Sequence, residues 1–285
     1  YPSDAAELTA FLQQYFDQVE KDGIEYSGEV KGIISPHIDF KRGADIYAKV
    51  WSQAKSALKQ AELVVVLGTD HNDVSGRITL TRQNYETPWG IIPTAQDVVQ
   101  ELVDEIGDDA LLCELHHRRE HSIEVATIWL HYLLGDKSCE LLPILCGSFH
   151  PFIEQHQSPR KAMHIESAIG VLRKISNRSR TVIVAAADLA HMGPVFGDPF
   201  VLDMAGKARM ARQDEELLAV IGQGDADDLF SLISRERDCR HVCGVPPIYI
   251  ALSILGGIKG TTLGYAQCPA SDNGTSLVSI CGTVF

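Results

Sequence analysis

With 285 residues the chain can bury a sizeable core, and 25 Lys and Arg against 38 Asp and Glu leave it at −13, a charge that repels phosphate backbones and anionic membranes. Nucleic acid and membrane surfaces are therefore poor partners, and no apolar run reaches the roughly 20 residues that a spanning helix needs. Seven cysteines, at 113, 139, 146, 239, 243, 268 and 281, are odd in number and form no Cys-x-x-Cys pair, which predicts reduced thiols in a cytoplasmic protein, most of them small buried hydrophobes.

The chain starts at Tyr1-Pro-Ser-Asp without an initiator Met, read here as the loss of a preceding segment. It passes into an amphipathic helix, Ala5 to Glu20, with no signal-peptide pattern. A strand from Val30 to Ser35 ends, after a Pro turn, at His37, and a helix runs from Gly43 to about Lys59. The next strand, Leu63 to Gly68, holds the β-branched run Val64 to Val66, too short for a helix and too apolar for the surface, so it reads as a buried parallel strand delivering His71. These elements form a βαβ unit with a right-handed crossover, which sets His37 and His71 at the ends of neighbouring strands. Gly76 to Arg82 alternates as an edge or half-exposed strand, Thr87-Pro-Trp-Gly90 is a turn whose Trp89 walls a pocket or simply packs, and Gln96 to Ile106 is a helix.

From Leu115 to Glu124 ionisable groups are dense. His116 and His117 read as a solvated loop, and Ser122 as the cap of a helix to Leu134 with Glu124 in its first turn. A strand from Leu141 to Cys146 and a helix from Arg160 to Ser176 lead to a strand at Thr181 that delivers Asp188 and His191. Helices follow at Leu202 to Ile221 and Ala226 to Arg237, then an apolar helix to Leu255 opened by Cys243-Gly-Val-Pro-Pro, then strands Thr262 to Gln267 and Ser276 to Val284. No linker or repeat divides residues 1–285, so the expected fold is a single α/β domain with a mixed, mainly parallel central sheet flanked by helices.

Ligands of open α/β sheets sit outside the carboxyl ends of the strands, where this chain places His37, His71, Asp188 and His191. A lone histidine there more often caps a turn; two in the same topological position read as metal ligands. Cys243 precedes a proline-opened helix, whose positive end favours thiolate, the form a metal or a nucleophile requires. The pairs Asp188 with His191 and His121 with Glu124 are acid and base, orienters of metal-bound histidines, or caps. Glu120 is structural or touches substrate. There is no Gly-x-Ser-x-Gly elbow, no P-loop and no Gly-x-Gly-x-x-Gly after a strand, so serine hydrolases, NTPases and dinucleotide enzymes are set aside.

Ile34-Ser-Pro-His37, Leu67-Gly-Thr-Asp-His71, Thr87-Pro-Trp-Gly, Glu120-His-Ser-Ile-Glu124, Ala187-Asp-Leu-Ala-His191, Cys243-Gly-Val-Pro-Pro-Ile and Tyr265-Ala-Gln resemble, in order and over nearly the whole chain, the motifs of the Memo family, the B proteins of the AmmeMemoRadiSam system. The resemblance implies a fold similar to class III extradiol dioxygenases and a non-heme metal site. It would make His37, His71 and Cys243 the ligands, with Asp188 and His191 beside them, and iron or copper the metal. It also implies redox activity and a radical-SAM protein as partner. The chain departs from the family's pattern at Asp70 and Asn72, where Ser and a second His are frequent, and at Val245-Pro-Pro, where Arg-x-Pro is common.

A thiolate in place of the carboxylate of the two-His-one-carboxylate site is a stronger donor and itself oxidisable, which favours a redox role other than ring cleavage. The expectation is a non-heme metal-binding redox or dioxygenase-like protein with Fe(II), or else Cu or Zn, acting on a small molecule or peptide. Its rivals are a non-catalytic metal-binding or peptide-binding adaptor and a metal-dependent hydrolase with a zinc-activated water.

Overall fold

The β-branched and apolar runs of the sequence form the centre of one sheet in the computed structural model of the chain, which describes residues 1–23 and 26–285. In chain order the elements are α1 (Ala5–Asp22), β1 (Gly32–Ser35), α2 (Phe40–Gln60), β2 (Leu63–Thr69), β3 (Ile78–Leu80), the hairpin β4 (Tyr85–Thr87) and β5 (Gly90–Ile92), α3 (Gln96–Ile106), α4 (His121–Leu134), β6 (Glu140–Cys146), α5 (His150–Glu154), α6 (Met163–Arg178), β7 (Thr181–Ala186), β8 (His191–Met192), α7 (Met204–Gln223), α8 (Ala226–Glu236), α9 (Val245–Leu255), β9 (Thr261–Pro269) and β10 (Leu277–Val284). The sheet order is β3-β6-β2-β7-β1-β10-β8, with β9 also paired to β10. Strands β6, β2, β7 and β1 are parallel; β3 at one edge and the β8, β9 and β10 group at the other are antiparallel. This is the mixed, mainly parallel, single-domain α/β fold expected from the sequence, the one that the Memo resemblance implies.

Alternation along β2 explains its all-apolar sequence. Val64 and Val66 pack with α1, α2 and α4 on one face, while Val65 and Leu67 pack with α3 and α6 to α9 on the other. Each such side chain, fully buried, stabilises the fold by about 1.5–3 kcal/mol.

Two expectations are corrected by the topology. Strands β1 and β2 are not neighbours: β7 lies between them, pairing Ile33 with Val184 on one side and Val65 with Ile183 on the other. Hydrophobic periodicity specifies a strand but not its neighbour, and the consequence is local to the site, because the end of β7 now stands between those of β1 and β2. Strand β3 is the expected edge strand, but Ile78, Thr79 and Leu80 are all buried, since the 3-10 turn Asp108–Leu111 covers that edge with Ala110.

Candidate metal centre

Three elements deliver the candidate ligands, and each is fixed by hydrogen bonds before any metal is considered. Beyond β1, His37 is 1% exposed and its Nδ1 lies 3.0 Å from the Ala186 carbonyl of β7. A carbonyl only accepts, so Nδ1 carries the proton and Nε2 keeps its lone pair. The Asp188 carboxylate accepts from His37 N at 2.8 Å and Ile38 N at 3.3 Å. Beyond β2, the buried Asp70 accepts from Asn72 N at 3.0 Å and meets His116 Nδ1 at 2.8 Å, which holds the turn that presents His71. Glu120 accepts from His71 N at 3.0 Å and lies 3.0 Å from its Nδ1. Cys243 stands just before α9, held by Thr69 Oγ1 to its carbonyl at 3.1 Å and by Gly244 N to Asp188 O at 3.1 Å.

Gly244 has to be glycine for that approach. A Cβ there would lie 2.4 Å from Asp188 O and 2.7 Å from Ala187 Cβ. We expect Gly244→Ala to push the Cys243 loop off β7, costing about 1–3 kcal/mol of stability and weakening metal uptake. Thermal denaturation and metal titration of the variant check this, and a variant with both unchanged would contradict the geometry.

His37, His71 and Cys243 each offer a ligand atom, and these lie within 4.8 Å of one another. Cys243 Sγ is 3.3 Å from His37 Nε2. The rings of His37, His71 and His121 cluster, with His71 and His121 stacked at 5.1 Å and His37 edge-on to both. A second group, His71, Glu120 and His121, is equally close, but its carboxylate is already taken. It accepts from His71 N, Ser122 N and Nδ1 of His71, and meets His121 Nδ1 at 3.2 Å, which fills its roughly four lone-pair sites. Glu120 therefore orients His71 and His121, and the open donor set is His37, His71 and Cys243. Two imidazoles and a sulfur fit iron, copper or zinc far better than magnesium or calcium.

Electrostatics follow from this packing. Burial, with the charges of His71 and His121, lowers His37 to about 3. Burial likewise lowers His191 to about 4, against the pull of Asp188. The hydrogen bond to Glu120 raises His121. Burial opposes the charge on Glu120, but hydrogen bonds from His121 and His71 hold it well below the usual carboxylate range. Burial, and then the Asp188 carboxylate, pushes the Cys243 thiol well up. The helix N-terminus expected to favour thiolate is thus outweighed: Pro246 and Pro247 have no N–H, and Gly244 N is spent on Asp188 O.

The other sequence-predicted residues fall in several places. Asp188 touches His37 by backbone and, at 3.7 Å, by ring. His191 sits at the same end of the sheet, its Nδ1 3.1 Å from Leu189 O and its ring edge-on to Phe196 at 5.0 Å. Glu120, not Ser122, caps α4, accepting from Ser122 N at 3.1 Å, while the Ser122 hydroxyl donates to Thr69 O at 2.9 Å. Glu124 accepts from the Tyr1 hydroxyl. Trp89 is not brought to the cluster: it donates to Thr9 Oγ1 at 3.0 Å and packs on His131 and Tyr132, ten residues and so about 15 Å along α4 from His121. His116 and His117 form a 3-10 turn rather than a solvated loop, with His117 buried between Thr79 O and Tyr85 Oη. Asp70 and His116 were missed as supports; the signal was an Asp between a strand end and the histidine it presents.

Residues 1–284 match the family model described as Memo-like protein. The chain is 29% identical over 271 residues to a MEMO1 family protein of Methanosarcina acetivorans, covering 94% of this chain and 88% of the relative. It is 25% identical over 291 residues to a MEMO1 family protein of Aquifex aeolicus, covering 100% and 70%. A MEMO1 family protein of Methanosarcina mazei is 27% identical over 271 residues, covering 94% and 88%. Among the described residues no helix is long and apolar enough to cross a membrane.

Proposed function

Because the chain belongs to the Memo-like protein family, we propose that it is a non-heme metal-binding protein with a redox role, its His37, His71 and Cys243 holding one Fe(II) ion, or copper in its place. One observation carries this reading. Donor atoms from three separate elements converge within 4.8 Å, while Nδ1 of both imidazoles is already engaged, which leaves one free nitrogen on each ring. A bound iron or copper would supply one-electron redox chemistry and open positions for a small ligand.

The chain's own residues do the rest. Ala186 O and Glu120 set the tautomers of His37 and His71, as partners of metal-bound histidines do. Asp188 fixes the backbone of His37 and Ile38. His121 and His191, on opposite sides of the cluster's chemistry as a raised and a lowered imidazole, are the groups suited to carry protons to and from a bound molecule. Seven free cysteines support a reducing, cytoplasmic setting. The same donors suit zinc, which brings no redox change; turnover with Zn²⁺ under strict anaerobiosis would favour a hydrolase instead.

Metal uptake tests the ligand set. The Cys243 thiol must ionise to bind, so anaerobic titration with Fe(II) in weak buffer is expected to saturate at one ion per chain and release about one proton. Protons compete with the metal, so apparent affinity rises about tenfold per pH unit while the free thiol stays protonated. Uptake without proton release would remove Cys243 from the set.

A further inference from the structure

The motif Tyr265-Ala-Gln267 plays no part in the metal site, yet its side chains reach into the protein. Tyr265 Oη donates to Asp214 Oδ2 at 2.8 Å, and Gln267 Nε2 donates to Lys207 O at 3.0 Å, so β9 is fastened to α7 at two points. Asp214 and Arg240 are both 0% exposed and form an ion pair. Arg240 also donates to Glu236 at 2.8 Å.

Two arms lead from Asp214 to the same backbone. Through one, the Arg240 carbonyl accepts from His191 N at 2.8 Å. Through the other, the Ser279 hydroxyl, whose oxygen accepts from Ala190 N at 3.0 Å, lies beside Asp214 and favours its carboxylate against the burial that raises it. The backbone N–H groups of Ala190 and of His191 are therefore both held by residues that meet one buried carboxylate. The segment that carries Arg240 is itself the one that carries Cys243, and Arg237, Asp238 and His241 in it all have positive φ, at 54°, 47° and 51°. Non-glycine residues persist there only where surrounding contacts impose the shape.

We propose that Asp214 is a positioning residue: with Arg240, Tyr265 and Ser279 it holds the strained segment 237–243 and the His191 segment in one fixed relation, and so sets where His191 stands relative to Cys243. Buried ion pairs are weak sources of net stability but can select one arrangement over others, and here the arrangement selected is that of two site residues carried by different elements. The positioning rests on hydrogen bonds alone; its effect on a metal rests on the ligand set proposed above.

The test uses the full chain and two readouts. Ser279→Ala and Tyr265→Phe each remove one hydroxyl, and the double variant Asp214→Leu with Arg240→Met replaces the ion pair by apolar groups. Ile175→Val, in the remote core of α6, is the control for mild destabilisation. Amide hydrogen exchange of metal-free protein is expected to quicken about tenfold in the peptides spanning 188–192 and 238–246 of Ser279→Ala, of Tyr265→Phe and of the double variant, with β2 unchanged. With Co(II) as the probe, the thiolate-to-cobalt absorption is expected to shift or weaken, and the Co(II) dissociation constant to rise about tenfold or more, in those variants and not in Ile175→Val.

Exchange at wild-type rates in the single variants, or quickening spread evenly over the sheet, would overturn the proposal. So would a cobalt spectrum that stays wild-type in folded variants. Should the double variant fail to fold, the two hydroxyl deletions decide. If wild-type protein binds no Co(II), the ligand set fails, while exchange still decides the positioning.

Discussion

Cys243→Ala is expected to abolish stoichiometric metal uptake, weakening affinity by roughly a hundredfold or more, because a three-donor site loses its only anionic ligand. Cys146→Ala is the matched control. Cys146 is 1% exposed at the end of β6, its thiol raised by burial and by Asp70, and it lies in the core rather than among the ligand atoms. Its removal leaves a small cavity costing about 1 kcal/mol, while its carbonyl keeps the bond from Asp70 N at 2.9 Å. The two variants should therefore separate: one loses metal with little change in melting temperature, the other loses some stability and keeps its metal. Iron content per chain after anaerobic reconstitution, beside thermal denaturation, measures both. Equal uptake by the two would sink the assignment of Cys243.

Glu120 carries the second large effect. Its carboxylate, 3% exposed, accepts from two backbone amides and orients two imidazoles. Glu120→Ala leaves buried donors without an acceptor, at about 1–3 kcal/mol for each group left unpaired, and frees the His71 ring, for about a 10–100-fold loss of metal affinity. Glu120→Gln restores one acceptor oxygen but turns an amide NH₂ toward the ring nitrogens, so it should recover part of the stability and little of the affinity. The pH dependence has a definite sign. The folded carboxyl titrates below its unfolded value of about 4.3, so its contribution is full above that value and is lost as pH falls through the acid range toward the folded value. The stability gap between wild type and Glu120→Gln should then narrow on acidification. A gap that is constant with pH would contradict the ionised carboxylate.

How far the sequence carried differs by element. The buried strand β2 was legible because a β-branched run between turn residues has few other uses, and α3 ran from Gln96 to Ile106 as its apolar spacing predicted. His37, His71 and Cys243 were legible as candidates because the two histidines come just after strand ends and the cysteine just before a helix start, and the structure brings those three together. Strand order was not: that β7 stands between β1 and β2 depends on pairing over more than a hundred residues, which no local pattern records. The cap of α4 was misplaced by two residues because Glu120 and Ser122 are both acceptors at a helix start; the Ser122 hydroxyl is claimed instead by Thr69 O, where α4 lies so close to β2 that a Cβ on Gly68 would come within 2.5 Å of Ser122 Oγ. Asp214 and Arg240 were invisible for another reason. Nothing local marks Asp214 in α7 or Arg240 before α9, and only the fold turns them toward each other.

The central claim is that three strand-end and helix-end residues form one metal site, and iron stoichiometry tests it most directly. Wild-type protein and His71→Ala are reconstituted with Fe(II) under anaerobic conditions, desalted and assayed for metal per chain. The account predicts close to one iron in the wild type and almost none in the variant. Equal iron in both, or none in either with copper and zinc faring no better, would contradict it.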